Sequence, residues 1–252
     1  MDVIVLGAGT AIPSSGYSPA AILLRSGGEE ALLDCGPGAL IKAAQQGLDY
    51  FQLQTIFLTH LHSDHTLDLV TLIQANESTP GVNNRKPLGI FSCSGTREWF
   101  EKLMIAFPDI SPSYSFSIFE NGLNAWDWAD LHVSTYLTGH TKNSLAYRFD
   151  GKDGSFVFTG DAIFSEGLVR FCARADLLIS ECSFPEGQHN PEHLSADQVG
   201  NLAEKASVHH LAITHQYPAA HAVDLAKQIG RQYSGKLTLA MDGTSFSLPE
   251  GR

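Results

Sequence analysis

Four side chains able to bind a metal fall within six residues in the segment Thr59-His60-Leu61-His62-Ser63-Asp64-His65. The segment follows the apolar run Ile56-Phe57-Leu58, which reads as a strand. On an extended backbone, side chains at i and i+2 share a face, so His60 and His62 can grip one ion together. A turn or helix start just beyond would swing Asp64 and His65 toward a neighbouring ion. Imidazole and carboxylate donors without thiolate suit zinc, with manganese, iron or cobalt as alternative occupants.

This pattern resembles the signature of the metallo-β-lactamase superfamily. That family completes its site with three isolated residues, each in a loop after a strand. The residues at the matching places are His140 in Leu137-Thr138-Gly139-His140-Thr141, Asp161 in Phe158-Thr159-Gly160-Asp161, and His215 in Ile213-Thr214-His215. By this resemblance His60, His62 and His140 bind one ion, Asp64, His65 and His215 bind a second, and Asp161 bridges them. A carboxylate suits the bridge because its two oxygens can serve two cations at once. Two ions about 3.5–4 Å apart can share a hydroxide, lower its pKa and clamp both oxygens of an in-line displacement. The implied cofactors are two divalent metal ions, Zn2+ first, with Mn2+ or Fe2+ as alternatives.

The elements that must position these residues are readable from apolar patterning and caps. Strands are expected at Val3 to Leu6, Ala20 to Leu24, Ala31 to Asp34, Thr55 to Leu58 and Leu88 to Ser92. In the second half they are expected at Leu131 to Leu137, Leu145 to Phe149, Phe156 to Phe158, Leu177 to Ser180, Leu211 to Thr214 and Lys236 to Met241. Helices are expected at Gly38 to Gln46, closed by Gly47, at Leu67 to Ala75, and at Thr96 to Phe107 before Pro108. Three more are expected at Phe164 to Cys172, at Ala196 to Ala206 with Ser195 as N-cap, and at Ala222 to Tyr233. Strands and helices mixed in both halves indicate an α/β (α+β) fold of two packed sheets with helices outside. The length, 252 residues, suits one domain spanning residues 1–252, and the resemblance implies a four-layer αββα sandwich of two mixed β-sheets.

Composition limits the partners. The formal charge is −11, with 16 basic against 27 acidic residues and no basic tract, so tight gripping of a large polyanion is not expected. Two divalent ions would add local positive charge that this count omits. No apolar run approaches the roughly 18 residues needed to span a bilayer, and Met1 to Gly7 lacks a basic n-region and enters a strand at once. A cytoplasmic protein with no signal peptide and no membrane partner is expected. Cys35, Cys93, Cys172 and Cys182 lack C-x-x-C spacing and read as free thiols, Cys182 as a buried structural one.

Four further segments, Leu6-Gly7-Ala8-Gly9-Thr10-Ala11-Ile12-Pro13, Leu33-Asp34-Cys35-Gly36-Pro37-Gly38, Ile179-Ser180-Glu181-Cys182-Ser183-Phe184 and Glu192-His193-Leu194-Ser195-Ala196-Asp197, are similar to the ribonuclease Z branch. That likeness implies a dinuclear metal phosphodiesterase in which His193 donates a proton to the leaving oxygen and Glu181 orients it. Asp64, His193 and Glu181 form the expected catalytic set, with Asp64 also a ligand. Asp34 is a candidate to hold a ligand histidine in its tautomer. The branch carries a long Gly-rich arm, which grips the tRNA elbow, between the ligands matching His140 and Asp161. Here only Thr141 to Gly160 separate them, enough for two strands and a turn. The expected substrate is therefore a small or single-stranded phosphodiester, with precursor tRNA as the larger alternative. The chain also resembles, in size and in its ending Met241-Asp242-Gly243-Thr244, the cyclic phosphodiesterase of bacterial phosphonate breakdown, which supports a small cyclic phosphodiester. It lacks the Cys-rich zinc loop of that relative near Ser14 to Ala20. Competing readings are a lactone or thioester hydrolase, which has less need of His193, and a non-catalytic metal-binding protein. A homodimer is one open assembly state. His189, His221, Phe184 and Tyr217 are secondary candidates for lining the cleft. His132, His209 and His210 read as strand residues or strand neighbours.

Overall fold

The computed structural model describes residues 1–79, 86–110, 114–120, 122 and 124–248. The chain begins with an antiparallel meander of β1 (Asp2–Gly7), β2 (Ala21–Ser26) and β3 (Glu29–Leu33). Helix α1 (Ala39–Gln45) leads to β4 (Thr55–Phe57), then α2 (Ser63–Thr66), α3 (Asp68–Glu77), β5 (Leu88–Ser92), α4 (Thr96–Ala106) and β6 (Phe116–Glu120). These three strands add parallel to β3 in succession. The second half repeats the plan. Strands β7 (Ala125–Trp128), β8 (Leu131–Leu137), β9 (Leu145–Gly151) and β10 (Gly154–Phe158) form the meander. After α5 (Glu166–Phe171), β11 (Leu177–Glu181), α6 (Ala196–Lys205), β12 (His210–Thr214), α7 (Pro218–His221), α8 (Leu225–Ile229) and β13 (Lys236–Leu239) complete the parallel part. Strand β14 (Ser245–Ser247) returns to pair with β1. Among the described residues the result is two seven-stranded sheets, ordered β14-β1-β2-β3-β4-β5-β6 and β13-β12-β11-β10-β9-β8-β7.

Strand periodicity builds the layers. In β1, Val3 and Val5 face the opposite sheet while Ile4 and Leu6 face helices. In β11, Leu177 and Ile179 point between the sheets and Leu178 points to the helices. Because both faces of each sheet are covered, these strands read as near-continuous apolar runs. The inter-sheet layer is aromatic at its centre. Phe57 lies 5.3 Å from Phe149, 5.5 Å from Tyr147 and 5.7 Å from Trp128, ring centre to ring centre. Helix α1 ends in a Schellman turn: Leu48 N donates to Ala43 O, Gly47 N donates to Ala44 O, and Gly47 has φ 83°. Among the described residues, no helix is long and apolar enough to cross a membrane.

Three strands escape the sequence pattern. β6, β7 and β14 are short sheet-edge or near-edge segments, and in β6 only Ile118 is buried. One covered face leaves a weak apolar signal. The helix expected over Ala222 to Tyr233 is shorter, α8 alone, and a separate turn of helix, α7, precedes it. Pro218 opens α7, and the Asp224 side chain accepts from Lys227 N to start α8, which stops at Gly230.

The turn after β3 is bound tightly to α2 and to the start of α3. Cys35 N donates to His65 O at 2.7 Å, Asp68 N to Cys35 O at 3.0 Å, and Leu40 N to Asp68 Oδ2 at 3.0 Å. A Cβ on Gly36 would lie 2.1 Å from the Asp64 carbonyl oxygen. Gly36→Ala should therefore destabilise the fold by about 1–3 kcal/mol or more, as over-packing does. Urea denaturation of variant and parent measures it; equal midpoints would mean the turn relaxes freely.

Candidate metal centre

Strands β8, β10, β11 and β12 run in one direction, and their carboxyl ends open on one edge, opposite the end of β4. Ligands of open α/β sheets gather at such carboxyl ends. His60 and His62 lie on the extended stretch after β4, and Asp64 and His65 on α2. His140 follows β8, Asp161 follows β10, and His215 follows β12. The two sheets are stitched beside this edge by Leu145 N donating to Thr59 O at 2.8 Å and Tyr147 Oη donating to Leu58 O at 2.9 Å.

The seven side chains form two clusters, each faced by one oxygen of Asp161, and a third group of Asp161, His193 and His215 adjoins them. In the first, the donor atoms of His60, His62, His140 and Asp161 all lie within 4.8 Å of one another. His62 Nδ1 is 3.1 Å from His60 Nε2 and 3.2 Å from His140 Nε2, and Asp161 Oδ2 is 3.5 Å from His140 Nε2 and 3.8 Å from His60 Nε2. In the second, Asp161 Oδ1 stands 3.5 Å from both His65 Nε2 and His215 Nε2. Asp64 Oδ2 is 3.4 Å from His215 Nε2 and 3.8 Å from His65 Nε2. A tetrahedral zinc ion with bonds of about 2.0–2.1 Å sets its ligands roughly 3.3–3.4 Å apart. Both clusters have edges of that size.

The far nitrogens fix the near ones. His65 Nδ1 faces Asp34 Oδ2 at 2.7 Å, His140 Nδ1 faces Glu192 O at 2.8 Å, and His60 Nδ1 faces Thr59 Oγ1 at 3.0 Å. His215 Nδ1 faces Ser183 Oγ at 3.2 Å. Each of these partners offers a lone pair, which assigns the proton to Nδ1 and turns the Nε2 lone pair inward. His65 Nε2 and Asp161 Oδ1 are buried with no hydrogen-bond partner. A buried orphan donor or acceptor costs about 1–3 kcal/mol, so two of them aimed at one spot fit a divalent cation.

Electrostatics agree. Burial depresses the pKa of His60 well below the ordinary range, helped by the charge of His65 and against that of Asp161. Burial opposes the charged form of His65 too, but Asp161 and Asp34 outweigh it and raise its pKa to about 10. Burial would raise the pKa of Asp161, yet the surrounding His215, His65, His60 and His193 hold it well below the carboxylate range.

Backbone conformation is specialised at the same places. Asp34 and His215 have φ of 57° and 53°, in the left-handed region that non-glycine residues seldom occupy. Asp34, at the end of β3, accepts from Thr59 N at 2.8 Å and from Thr59 Oγ1 at 2.9 Å as well as from His65. It thereby links the turn carrying His60 to the helix carrying His65. His215 N donates to Ala8 O at 2.7 Å, which ties its loop to the turn after β1.

Beside the clusters, His193 Nδ1 lies 3.0 Å and 3.2 Å from the two oxygens of the buried Glu181. Burial lowers the pKa of His193, but the Glu181 hydrogen bond and charge, with Asp161 and Glu192, raise it above the ordinary histidine value. Glu181 also accepts from Ala162 N at 2.6 Å and from Ser183 Oγ at 2.5 Å. Phe184 and Tyr217 stack on each other, 5.4 Å apart and 12° from parallel, and both meet His193 at steep angles.

Other sequence candidates stand apart from these clusters. His189 is exposed and bonded to Asp197 at 2.8 Å. His221 is exposed with its ring 4.5 Å from Tyr17. Cys182 is buried, and burial, then Glu181 and Asp197, push its thiol pKa far up. His132 pairs with Asp127, and His210 opens β12 beside Thr238. Sequence reasoning passed over Thr59, Ser183 and the Glu192 carbonyl. Ser183 had one local signal, its place two residues beyond Glu181; a backbone carbonyl leaves none.

The sequence pattern of the family described as Anti-Pycsar protein Apyc1 matches residues 1–232. A protein named Ribonuclease Z from Mycobacterium sp. (strain KMS) is 28% identical over 243 residues, covering 86% of this chain and 85% of its own length. The crystal structure of the metallo-beta-lactamase fold protein YhfI from Bacillus subtilis superposes with a TM-score of 0.85 at 25% identity, covering 97% of this chain and 98% of that one. Human tRNase Z, short form (ELAC1), superposes with a TM-score of 0.79 at 24% identity, covering 99% of this chain and 100% of that one. The fold is thus the metallo-β-lactamase fold, and the chain is ribonuclease Z-like.

Asp34→Asn tests the outer support of the cluster. An amide would turn an N–H toward Thr59 or His65, where only donors face it. Divalent metal affinity should fall about 10–100-fold with the fold intact. Chelator competition monitored beside circular dichroism measures both; unchanged affinity would remove Asp34 from this role.

Proposed function

The chain belongs to the Anti-Pycsar protein Apyc1 family, and from that premise we propose that it is a dinuclear metal phosphodiesterase that hydrolyses a small or single-stranded diester. The observation that carries this reading is the division of Asp161, whose Oδ2 faces the His60, His62 and His140 cluster while Oδ1 faces His65 and His215. The chain is a metal-dependent hydrolase of ribonuclease Z-like type, read here as holding two ions, zinc first. When bound, the ions supply Lewis-acid charge to the phosphoryl oxygens and activate the attacking water.

The residues of the chain supply the rest. As water attacks phosphorus, the bond to the leaving alkoxide oxygen breaks, and His193 gives that oxygen a proton. Glu181 holds the imidazole through Nδ1, so Nε2 is the atom left to carry the transferable proton. The same carboxylate stabilises the charged ring before transfer. Phe184 and Tyr217 give the cleft beside His193 an aromatic wall suited to a base or sugar.

Substrate size follows from what connects His140 to Asp161. That connection is the hairpin of β9 and β10, closed at Gly151 and Gly154, with no room for an arm. With a net charge of −11, the surface favours a small ester over folded RNA. A small cyclic phosphodiester fits the same terms. A lactone or thioester hydrolase would leave the His193–Glu181 pair without purpose, and a non-catalytic protein would leave it so too. The four cysteines are free and buried, in keeping with a cytoplasmic place of work. A homodimer is one assembly open to it.

Purified protein should contain about two equivalents of divalent metal and turn over small diesters more efficiently than precursor tRNA at physiological salt. Elemental analysis and a substrate panel test this; one tightly held ion, indifferent to Asp161→Ala, contradicts the shared site. His193→Ala should keep both ions and lose about 10²–10⁴-fold in kcat on diesters with alkoxide leaving groups. The loss should shrink for bis(p-nitrophenyl) phosphate, whose leaving group departs unaided. Equal losses on both substrates would remove His193 from proton donation.

A further inference from the structure

Outside the seven clustered donors, one fully buried hydroxyl touches both halves of the chemistry. We propose that Ser183 is a positioning residue that joins the His65–His215 half of the metal centre to the proton-donating pair. The inference rests on the two-ion reading above. Ser183 Oγ lies 2.5 Å from Glu181 Oε2 and 3.2 Å from His215 Nδ1, and the residue has no exposed surface.

A hydroxyl has one proton to give and two lone pairs to offer. The short contact to a buried carboxylate takes the proton, because a charged acceptor makes the stronger bond. The His215 carbonyl oxygen, at 3.1 Å, is the weaker competitor for it. Toward His215 Nδ1 the hydroxyl can then only accept. That assigns the His215 proton to Nδ1 and leaves Nε2 facing Asp64 and Asp161. On the other side, Glu181 Oε2 receives His193 Nδ1 at 3.0 Å. The order is His215 Nδ1–H to Ser183 Oγ–H to the Glu181 carboxylate, whose Oε2 also accepts from His193 Nδ1.

Three other inward-facing histidines are held differently. His65 leans on Asp34, His140 on the Glu192 carbonyl and His60 on Thr59. None of those acceptors is the carboxylate that holds His193. Removing the Ser183 hydroxyl would leave two buried groups, Glu181 Oε2 and His215 Nδ1, each short of a partner. The effect should fall on one ion of the two, which a general loss of packing would not produce.

The test is titration of metal-depleted protein with Zn2+, followed by calorimetry, on wild type, Ser183→Ala and Ser183→Thr. Wild type should take up two equivalents. Ser183→Ala should bind its first equivalent as wild type does and its second about 10–100-fold more weakly. Ser183→Thr, which keeps the hydroxyl, should restore the second. Ser183→Ala variants that bind both ions as tightly as wild type, or lose both equally, overturn the inference. A wild-type protein that takes up one ion overturns the two-ion reading instead. If Ser183→Ala fails to fold by circular dichroism, Ser183→Cys takes its place under the same criterion, since a thiol preserves volume but is a weak donor and acceptor.

Discussion

Everything around the metal centre is arranged to keep the two oxygens of Asp161 facing two different sets of imidazole nitrogens. A carboxylate buried to this degree resists ionisation, and only a ring of cationic partners or a bound cation reverses that. Here the neighbouring histidines pull its pKa below the carboxylate range, as a bound cation would, and its Oδ1 has no hydrogen-bond partner of its own. The constraint explains why so much polar chemistry is tolerated at the end of an apolar inter-sheet layer.

Keeping imidazoles neutral and aimed requires acceptors on their far sides. The chain supplies these from unrelated places: Asp34 at the end of β3, Glu192 by its carbonyl before α6, Thr59 beside His60, and Ser183 beyond β11. The packing that brings them together is the aromatic layer around Phe57 and the cross-sheet bonds from Leu145 and Tyr147. Left-handed backbone at Asp34 and His215 is the local strain accepted for this aim. Stability and site geometry are therefore one problem in this fold. The layer that excludes water from the sheets also fixes the distance between them, and that distance sets where Asp161 meets His60 and His65.

Charge is divided in the same spirit. The surface is acidic overall, while the centre is built to gather cations. In the proposed reaction the ions supply the attraction for a phosphodiester that the surface withholds. A substrate small enough to be held at the cleft satisfies both conditions; an extended polyanion meets the repulsion of the whole surface.

The sequence by itself named the side chains that meet at the centre and the strands that deliver them. Local spacing carries that information: His60 and His62 alternate on an extended segment, α2 follows at once, and His140, Asp161 and His215 each end an apolar run. It was weaker at the edges. β6, β7 and β14 bury too little to mark themselves, and the helix expected from Ala222 starts only at Leu225, where the Asp224 side chain caps it. Only the tertiary structure decided which Asp161 oxygen faces which cluster, which nitrogen of each histidine turns inward, and that Glu192 serves through its backbone. Those are contacts between residues as far apart as His140 and Glu192, or Asp64 and His215. No local period encodes them; they exist because two sheets close on a shared aromatic layer and bring the ends of their strands to one edge.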